Sequence, residues 1–307
     1  MRVSSRRAVL VLALSLVLLT ACEGMEDLGG GELGDILEGV TEQLDSQGGG
    51  FALPTTVPPA GGSTLPPEPS LFDLPDLGAT ILTPEGAGPF PAVVLVHGGA
   101  WTGGSPSDVS SLAAYLVSEG FLVISPRYKL SQNTPGFPQA LHDIACAVRM
   151  AAAHDESDGT VALMGHSAGG HLGAVIALTG NKYGDGCPFP GAAAPQRFVG
   201  LAGPYNVDRI GLGMLPFFGT LRSGNPAAWD AANPQGLAGQ AQNRALKVLL
   251  IHGDFDWLVE IKSSQDFRDA LSGSGIDVRL ETLVGAGHTE PRLPADMGDL
   301  LVNWLRG

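Results

Sequence analysis

The chain has 307 residues, of which 44% are hydrophobic and 16% charged, enough to bury a sizeable core and too apolar for wholesale disorder. Its formal net charge of -14 argues against a protein that neutralises nucleic-acid phosphates, since that work needs clustered Lys and Arg. Three Cys, with no Cys-x-x-Cys and no Cys/His group at zinc spacing, exclude a disulfide scaffold or a structural metal site as the main source of stability.

Arg2, Arg6 and Arg7 precede the apolar run Ala8 to Ala21, whose 14 residues fall short of the roughly 20 that cross a bilayer. Residues 1–21 therefore read as a signal peptide. The run ends in Leu19-Thr20-Ala21-Cys22, which resembles the bacterial lipobox; the resemblance implies export, lipidation at Cys22 and contact with a membrane through a lipid anchor only, an ordinary secretory signal being the alternative. Ser5-Arg6-Arg7 also resembles the start of a twin-arginine signal, so the export route stays open. Residues 22–70 hold 11 Gly, 6 Pro, 9 acidic residues and no Lys or Arg, the composition of a tether; Met25 to Leu44 carries the spacing of a marginal amphipathic helix. Without the leader's three arginines and the tether's nine acids, residues 71–307 carry a net charge of about -8, which says little about substrate.

From residue 71 onward, short β-branched runs bounded by glycine alternate with segments of helical period, the signature of a mostly parallel sheet flanked by helices. Strands are expected at Ala79–Leu82, Ala92–Val96, Phe121–Ser125, Val161–Met164, Phe198–Ala202, Val248–Ile251 and Val278–Leu283. Helices are expected at Val109–Glu119, Phe137–Ala153, Ala168–Thr179, Lys262–Ser272 and Asp296–Arg306. Between Gly203 and Arg244 the alternation is lost, and Leu212, Met214, Leu215, Phe217, Phe218 and Trp229 fit either a small lid or acyl-pocket insertion or an irregular connection packed on the helices.

In open α/β sheets chemistry gathers at the carboxyl ends of the strands. Gly165-His166-Ser167-Ala168-Gly169 follows one expected strand and opens a helix, a G-x-S-x-G turn that thrusts Ser167 upward as a nucleophile. His97-Gly98-Gly99-Ala100-Trp101 follows another, and the N–H groups of Gly98 and Gly99 join that of Ala168 as oxyanion donors, with His97 shaping the loop. His252-Gly253-Asp254-Phe255-Asp256 and Gly285-Ala286-Gly287-His288 follow two more. The order Ser167, Asp256, His288, at spacings of 89 and 32 residues, is that of a triad. Asp254 competes with Asp256; the His-Gly-x-x-Asp spacing with an apolar residue three positions on favours Asp256.

Together these motifs resemble the α/β-hydrolase superfamily over residues 71–307, on the esterase and lipase branch with His-Gly-Gly in the oxyanion loop. The Gly165 to His171 string, the His97 to Trp101 loop and the segments Arg127-Tyr128 and Phe137 to Asp143 are similar to bacterial carboxylesterases of the acetyl-xylan or feruloyl esterase-like group. The resemblance implies an α/β-hydrolase fold and a serine carboxylesterase acting on a small-molecule ester. The alternatives are an amide or formamide hydrolase with the same residues, or a non-catalytic surface binding protein, against which the retention of every triad and oxyanion residue argues. Such proteins often carry Asp-Tyr-Arg where this chain has Pro126-Arg127-Tyr128. No metal or cofactor is expected: the serine turn lacks a P-loop or dinucleotide fingerprint, and His142, Asp143 and His154 lack a third ligand and read as a solvated helix face. His166 and His171 read as structural. With Cys22 consumed by lipid, Cys146 and Cys187 are the even pair left in an oxidising compartment, and they flank the serine strand, so a disulfide between them is expected. The oligomeric state is left undetermined.

Overall fold

A computed structural model describes residues 78–307. The signal-peptide, tether and Cys22 readings, and the expected start of the domain at residue 71, lie outside the described residues. Seven strands form one sheet: β1 (Thr80–Leu82), β2 (Phe90–Val96), β3 (Leu122–Ser125), β4 (Ser157–His166), β5 (Arg197–Leu201), β6 (Lys247–Gly253) and β7 (Asp277–Leu283). Their order is β1-β3-β2-β4-β5-β6-β7, with β1 antiparallel to β3 and every other pair parallel. This is the α/β-hydrolase fold expected from the sequence.

The strands read as near-continuous apolar runs because both faces of the sheet are covered. Val94, Val96 and Leu163 point into one hydrophobic cluster with α2 (Gln139–Ala153), α3 (Ala168–Thr179) and α8 (Lys262–Gly273). Val93, Leu95 and Met164 point into the other, with α1 (Ser110–Ser118) and α9 (Pro294–Arg306). The period-two alternation of side chains along each strand thus feeds two cores at once. The chain leaves β2 to form β3 on one side and returns past it to form β4 on the other. Hence β2 and β4 are neighbours at the point where the strand order reverses, and their carboxyl ends, Val96 and Gly165, are in register. That crevice is where open α/β sheets take ligands.

The 203–244 segment contains four short helices: α4 (Val207–Ile210), α5 (Leu215–Phe218), α6 (Pro226–Ala231) and α7 (Pro234–Leu237). Asn206 and Asn225 cap α4 and α6 through their side chains. Met214, Phe217, Phe218 and Trp229 are buried, and Phe218 stacks on Trp229 at 4.6 Å between centroids. The packed connection is thus what these four residues form, while Leu212 and Leu215 face solvent.

The expectation of a solvated face at His142 and Asp143 is corrected. Asp143 is buried, accepting hydrogen bonds from the Lys129 backbone N–H and the Gln139 amide, both at 2.8 Å. His142 is half-buried and accepts from the Gly184 N–H at 3.0 Å. Each satisfies a loop donor that the helix period cannot reveal.

Cys146 on α2 and Cys187 in the loop after α3 are joined by a disulfide, with Cα atoms 5.4 Å apart. Arg149, one turn beyond Cys146, donates to the Gly184 carbonyl at 2.9 Å and ties the same loop to α2. The bridge spans 41 residues. Replacing both cysteines by alanine is expected to lower the unfolding free energy by about 2–4 kcal/mol, chiefly by freeing the unfolded chain. Urea denaturation of wild type and variant checks this, and equal midpoints would show that the bridge adds nothing.

Candidate active site

The turn from β4 into α3 places Ser167 at φ 54° and ψ -122°, a conformation that L-residues rarely adopt. Two glycines make it possible. A Cβ on Gly165 would stand 2.2 Å from the Gly169 carbonyl oxygen, and one on Gly169 would stand 2.4 Å from that of Val96. The Ser167 N–H is anchored to the Leu201 carbonyl of β5 at 2.8 Å, and the Ser167 carbonyl accepts from the His171 N–H at 3.1 Å. The turn is therefore fixed on both sides of the strained residue, and Ser167 stays half-buried.

Beside it, the loop after β2 makes its own sharp turn. Gly99 has φ +117°, and a Cβ there would stand 2.1 Å from the Gly103 oxygen. His97 is buried, donates from Nδ1 to the Gly98 carbonyl at 2.7 Å and stacks on Tyr128 at 4.4 Å between centroids. The Tyr128 hydroxyl is shared between the carbonyls of His97 and Gly98 at 3.2 and 3.3 Å. The carbonyl side of the loop is thus engaged, whereas the N–H groups of Gly98, Gly99 and Ala168 enter none of the turn and loop hydrogen bonds of the described residues. These are the groups an oxyanion would need.

The loops after β6 and β7 bring Asp256 and His288 together. His288 Nδ1 donates to Asp256 Oδ2 at 2.7 Å. The other carboxylate oxygen accepts from the N–H groups of Leu258 and Val259, both at 2.9 Å. His252 Nε2 contributes a further contact to Oδ2 at 3.2 Å while donating to the Val259 carbonyl at 2.7 Å. Burial pushes the Asp256 carboxyl up, but the hydrogen bonds from His252, His288 and Val259 outweigh it and hold the group well below the usual carboxylate range. An ionised carboxylate only accepts, so His288 must carry its proton on Nδ1, which leaves Nε2 free to receive one. Asp254 stands elsewhere: it is exposed and accepts from the Gly285 N–H at 2.6 Å, a turn cap outside the triad.

His166, the residue before Ser167, reaches His288. His166 Nε2 donates to the His288 carbonyl at 2.8 Å, and the two rings lie 4.9 Å apart. The Ser167 hydroxyl itself makes no hydrogen bond among the described residues. His171 accepts from the Trp101 indole at 3.1 Å and donates to the Ala232 carbonyl at 2.8 Å, tying the oxyanion loop to the 203–244 segment.

Sequence reasoning missed two groups here. His252 appeared only as part of the His-Gly-x-x-Asp spacing, yet it buttresses the carboxylate and is itself held at Nδ1 by Ser264, 2.7 Å away. Tyr128 appeared as a departure from a family pattern, yet it braces the oxyanion loop. Among the described residues no three His, Cys, Asp or Glu side chains are grouped so as to hold a metal ion.

Residues 80–203 match the BD-FAE family model, a span that includes the oxyanion loop and Ser167 and ends before Asp256 and His288. Esterase LipC of Mycobacterium tuberculosis is 27% identical over 217 residues, which cover 65% of this chain and 53% of that protein. Esterase LipQ of the same organism is 28% identical over 202 residues, covering 60% and 46%. The chain thus spans about half the length of these relatives. Among solved structures, a truncated carbohydrate esterase from gut microbiota superposes with a TM-score of 0.65 at 19% identity, covering 75% of this chain and 90% of that one. Propionate-bound esterase 2 of the planctomycete Thermogutta terrifontis superposes with a TM-score of 0.57 at 21% identity, covering 68% and 79%. Strand order and these superpositions agree on the α/β-hydrolase fold. The relatives named here are esterases.

Burial holds His166 and His171 down, each to about 4 from an ordinary 6.5, so both are neutral in the folded protein. The unfolded chain binds their protons first as pH falls, so their contribution to stability is complete above pH 6.5 and is lost on acidification toward 4. Asp143 works the other way: burial pushes its carboxyl up to about 6, so its contribution is complete below 3.8 and is lost as pH rises toward 6. Replacing His171 by Gln is expected to flatten the decline in Tm between pH 6.5 and 4. Thermal melts across that range check it, and an unchanged slope would refute the assignment.

Proposed function

We propose that this protein is a serine carboxylic ester hydrolase acting on small acyl or aryl esters. The observation that carries the reading is the Asp256–His288 hydrogen bond, which fixes one imidazole tautomer, together with the strained backbone of Ser167 at the turn from β4 into α3. In the proposed reaction the Ser167 hydroxyl oxygen attacks the ester carbonyl while His288 Nε2 takes its proton. The carbonyl oxygen, now an anion, is received by the N–H groups of Gly98, Gly99 and Ala168. The resulting imidazolium is stabilised by Asp256 and returns the proton to the departing alcohol. Water then attacks the acyl-enzyme with His288 again as base, releasing the acid and restoring Ser167.

Ser167→Ala is expected to lower turnover of an aryl acetate by about 10⁶-fold, and Asp256→Asn by about 10⁴-fold through loss of the correct tautomer. Asp254→Asn should cost far less, since that side chain caps a turn. A fluorophosphonate probe should label the wild type at Ser167 and leave Ser167→Ala unlabelled. Labelling at another serine, or Asp254 proving the costlier loss, would overturn the mechanism. A matched formamide run beside the ester separates ester from amide hydrolysis.

We further propose that the protein is exported and lipid-anchored at Cys22. The leader pattern supports this, and a Cys146–Cys187 bridge suits an oxidising compartment. Metabolic labelling with a palmitate analogue should mark the wild type and spare Cys22→Ser; equal labelling of both would remove the anchor.

A further inference from the structure

Among the described residues, eight large apolar side chains are substantially exposed, and all of them lie in the connections that leave the carboxyl ends of β5, β6 and β7. The opposite edge of the sheet and the outer faces of the long helices carry none. Scattered apolar exposure is normal on a protein surface, but exposure confined to one end is the mark of a surface that a ligand covers. The most exposed are Val284, Trp257 and Phe255, at 88%, 79% and 72%.

Several of these residues sit on the loops that carry Asp256 and His288. Phe255 and Trp257 flank Asp256, and the same turn that aims the carboxylate at His288 fixes their backbone through the Leu258 and Val259 N–H bonds to Oδ1. The Phe255 N–H donates to the Ala286 carbonyl at 2.9 Å, two residues before His288. Val284 stands just before that loop. On the other flank, Leu212 and Leu215 adjoin Phe217, whose ring lies 6.1 Å from that of Trp101 on the oxyanion loop.

Charge narrows the class of group further. The loops after β6 and β7 carry Asp254, Asp256, Glu260 and Glu290, with Arg292 as their only Lys or Arg, and Arg292 donates to the Asp108 carbonyl. An anionic substituent would meet like charge there, whereas a neutral aromatic one would cover exposed rings without burying an unpaired charge. We propose that this rim is a subsite for a bulky, neutral, apolar group of the substrate, with Phe255 and Trp257 as its aromatic contacts. The inference rests on the ester-hydrolase reading and names the substrate class within it.

The test uses the full chain and two acetates of primary alcohols with similar leaving-group basicity, ethyl acetate and 2-(2-naphthyl)ethyl acetate. The wild type is expected to favour the naphthyl ester by about tenfold or more in kcat/KM, the factor supplied by covering on the order of 50 Å² of apolar surface. Phe255→Ser combined with Trp257→Ser should bring that ratio close to one. A second measurement needs no catalysis: binding of 2-(2-naphthyl)ethanol to Ser167→Ala, followed by saturation-transfer NMR, should be lost when the two serines are added. Binding without hydrolysis of either ester would overturn the ester-hydrolase reading and leave the rim in place. No preference in the wild type, an unchanged ratio in the double variant, or absence of binding would overturn the rim. So would concentration-dependent self-association that the double variant abolishes without altering ester preference, since the rim would then belong to a second copy.

Discussion

A serine held at φ 54° and ψ -122° costs on the order of 1–3 kcal/mol, and such a conformation persists only where its surroundings leave no alternative. Here the surroundings are hydrogen bonds to β5 on one side and the first turn of α3 on the other. Every residue of α3 is buried, so the helix has no solvent face and acts as a fixed post rather than a surface element. Its first turn cannot slide without opening both the core and the contact with the loop after β2. The strain is thus supported by the burial of α3. In return the turn leaves the Ala168 N–H unpaired at the positive end of the helix dipole, where negative charge is favoured.

The second dependence is a set of histidines whose protons are assigned by their partners. His288 must donate from Nδ1 because Asp256 can only accept, and His166 must donate from Nε2 because it faces a carbonyl. His166 being neutral matters for its neighbour. A charged imidazole with its ring 4.9 Å from that of His288 would oppose the imidazolium that the proposed reaction forms there, and burial removes that charge. The same buried residue holds the His288 backbone through its carbonyl, so one side chain positions the base without competing with it. His252 plays the matching part for the carboxylate, approaching Oδ2 while Ser264 fixes its far side.

Much of this was legible in the chain because the features concerned are local. The inner strands announce themselves as apolar runs and the edge strand β7 by alternation, and all seven fall where the sequence predicts, although β4 extends from Ser157 to His166 beyond its apolar centre. Gly165, Ser167 and Gly169 are legible because their turn tolerates few other residues. The short helices α4 to α7 were not legible: at four to six residues none completes enough turns to show a period; α4 and α6 are held by side-chain caps and all four by tertiary burial of residues such as Phe217 and Trp229. Asp143 was misread for a related reason. Its partners are a backbone N–H 14 positions away and a glutamine one turn earlier, and a helical wheel cannot show that a loop will return to its polar face.

The Pro126-Arg127-Tyr128 departure illustrates how far a local pattern reaches. Read as sequence, it concerns only the packing after β3. In the folded chain the Tyr128 ring lies against His97, and its hydroxyl engages the carbonyls of His97 and Gly98. A peptide unit presents its N–H and its carbonyl in opposite directions, so a donor fixed on the carbonyl side orients the N–H side as well. The phenol is buried, with its ionisation pushed far above the ordinary range by desolvation, and it stays a neutral donor wherever the protein is folded. An oxyanion site made of backbone N–H groups has no side chains of its own to position it. Its precision therefore comes from the carbonyl side, and in this chain that side is held by Tyr128 and the His97 imidazole.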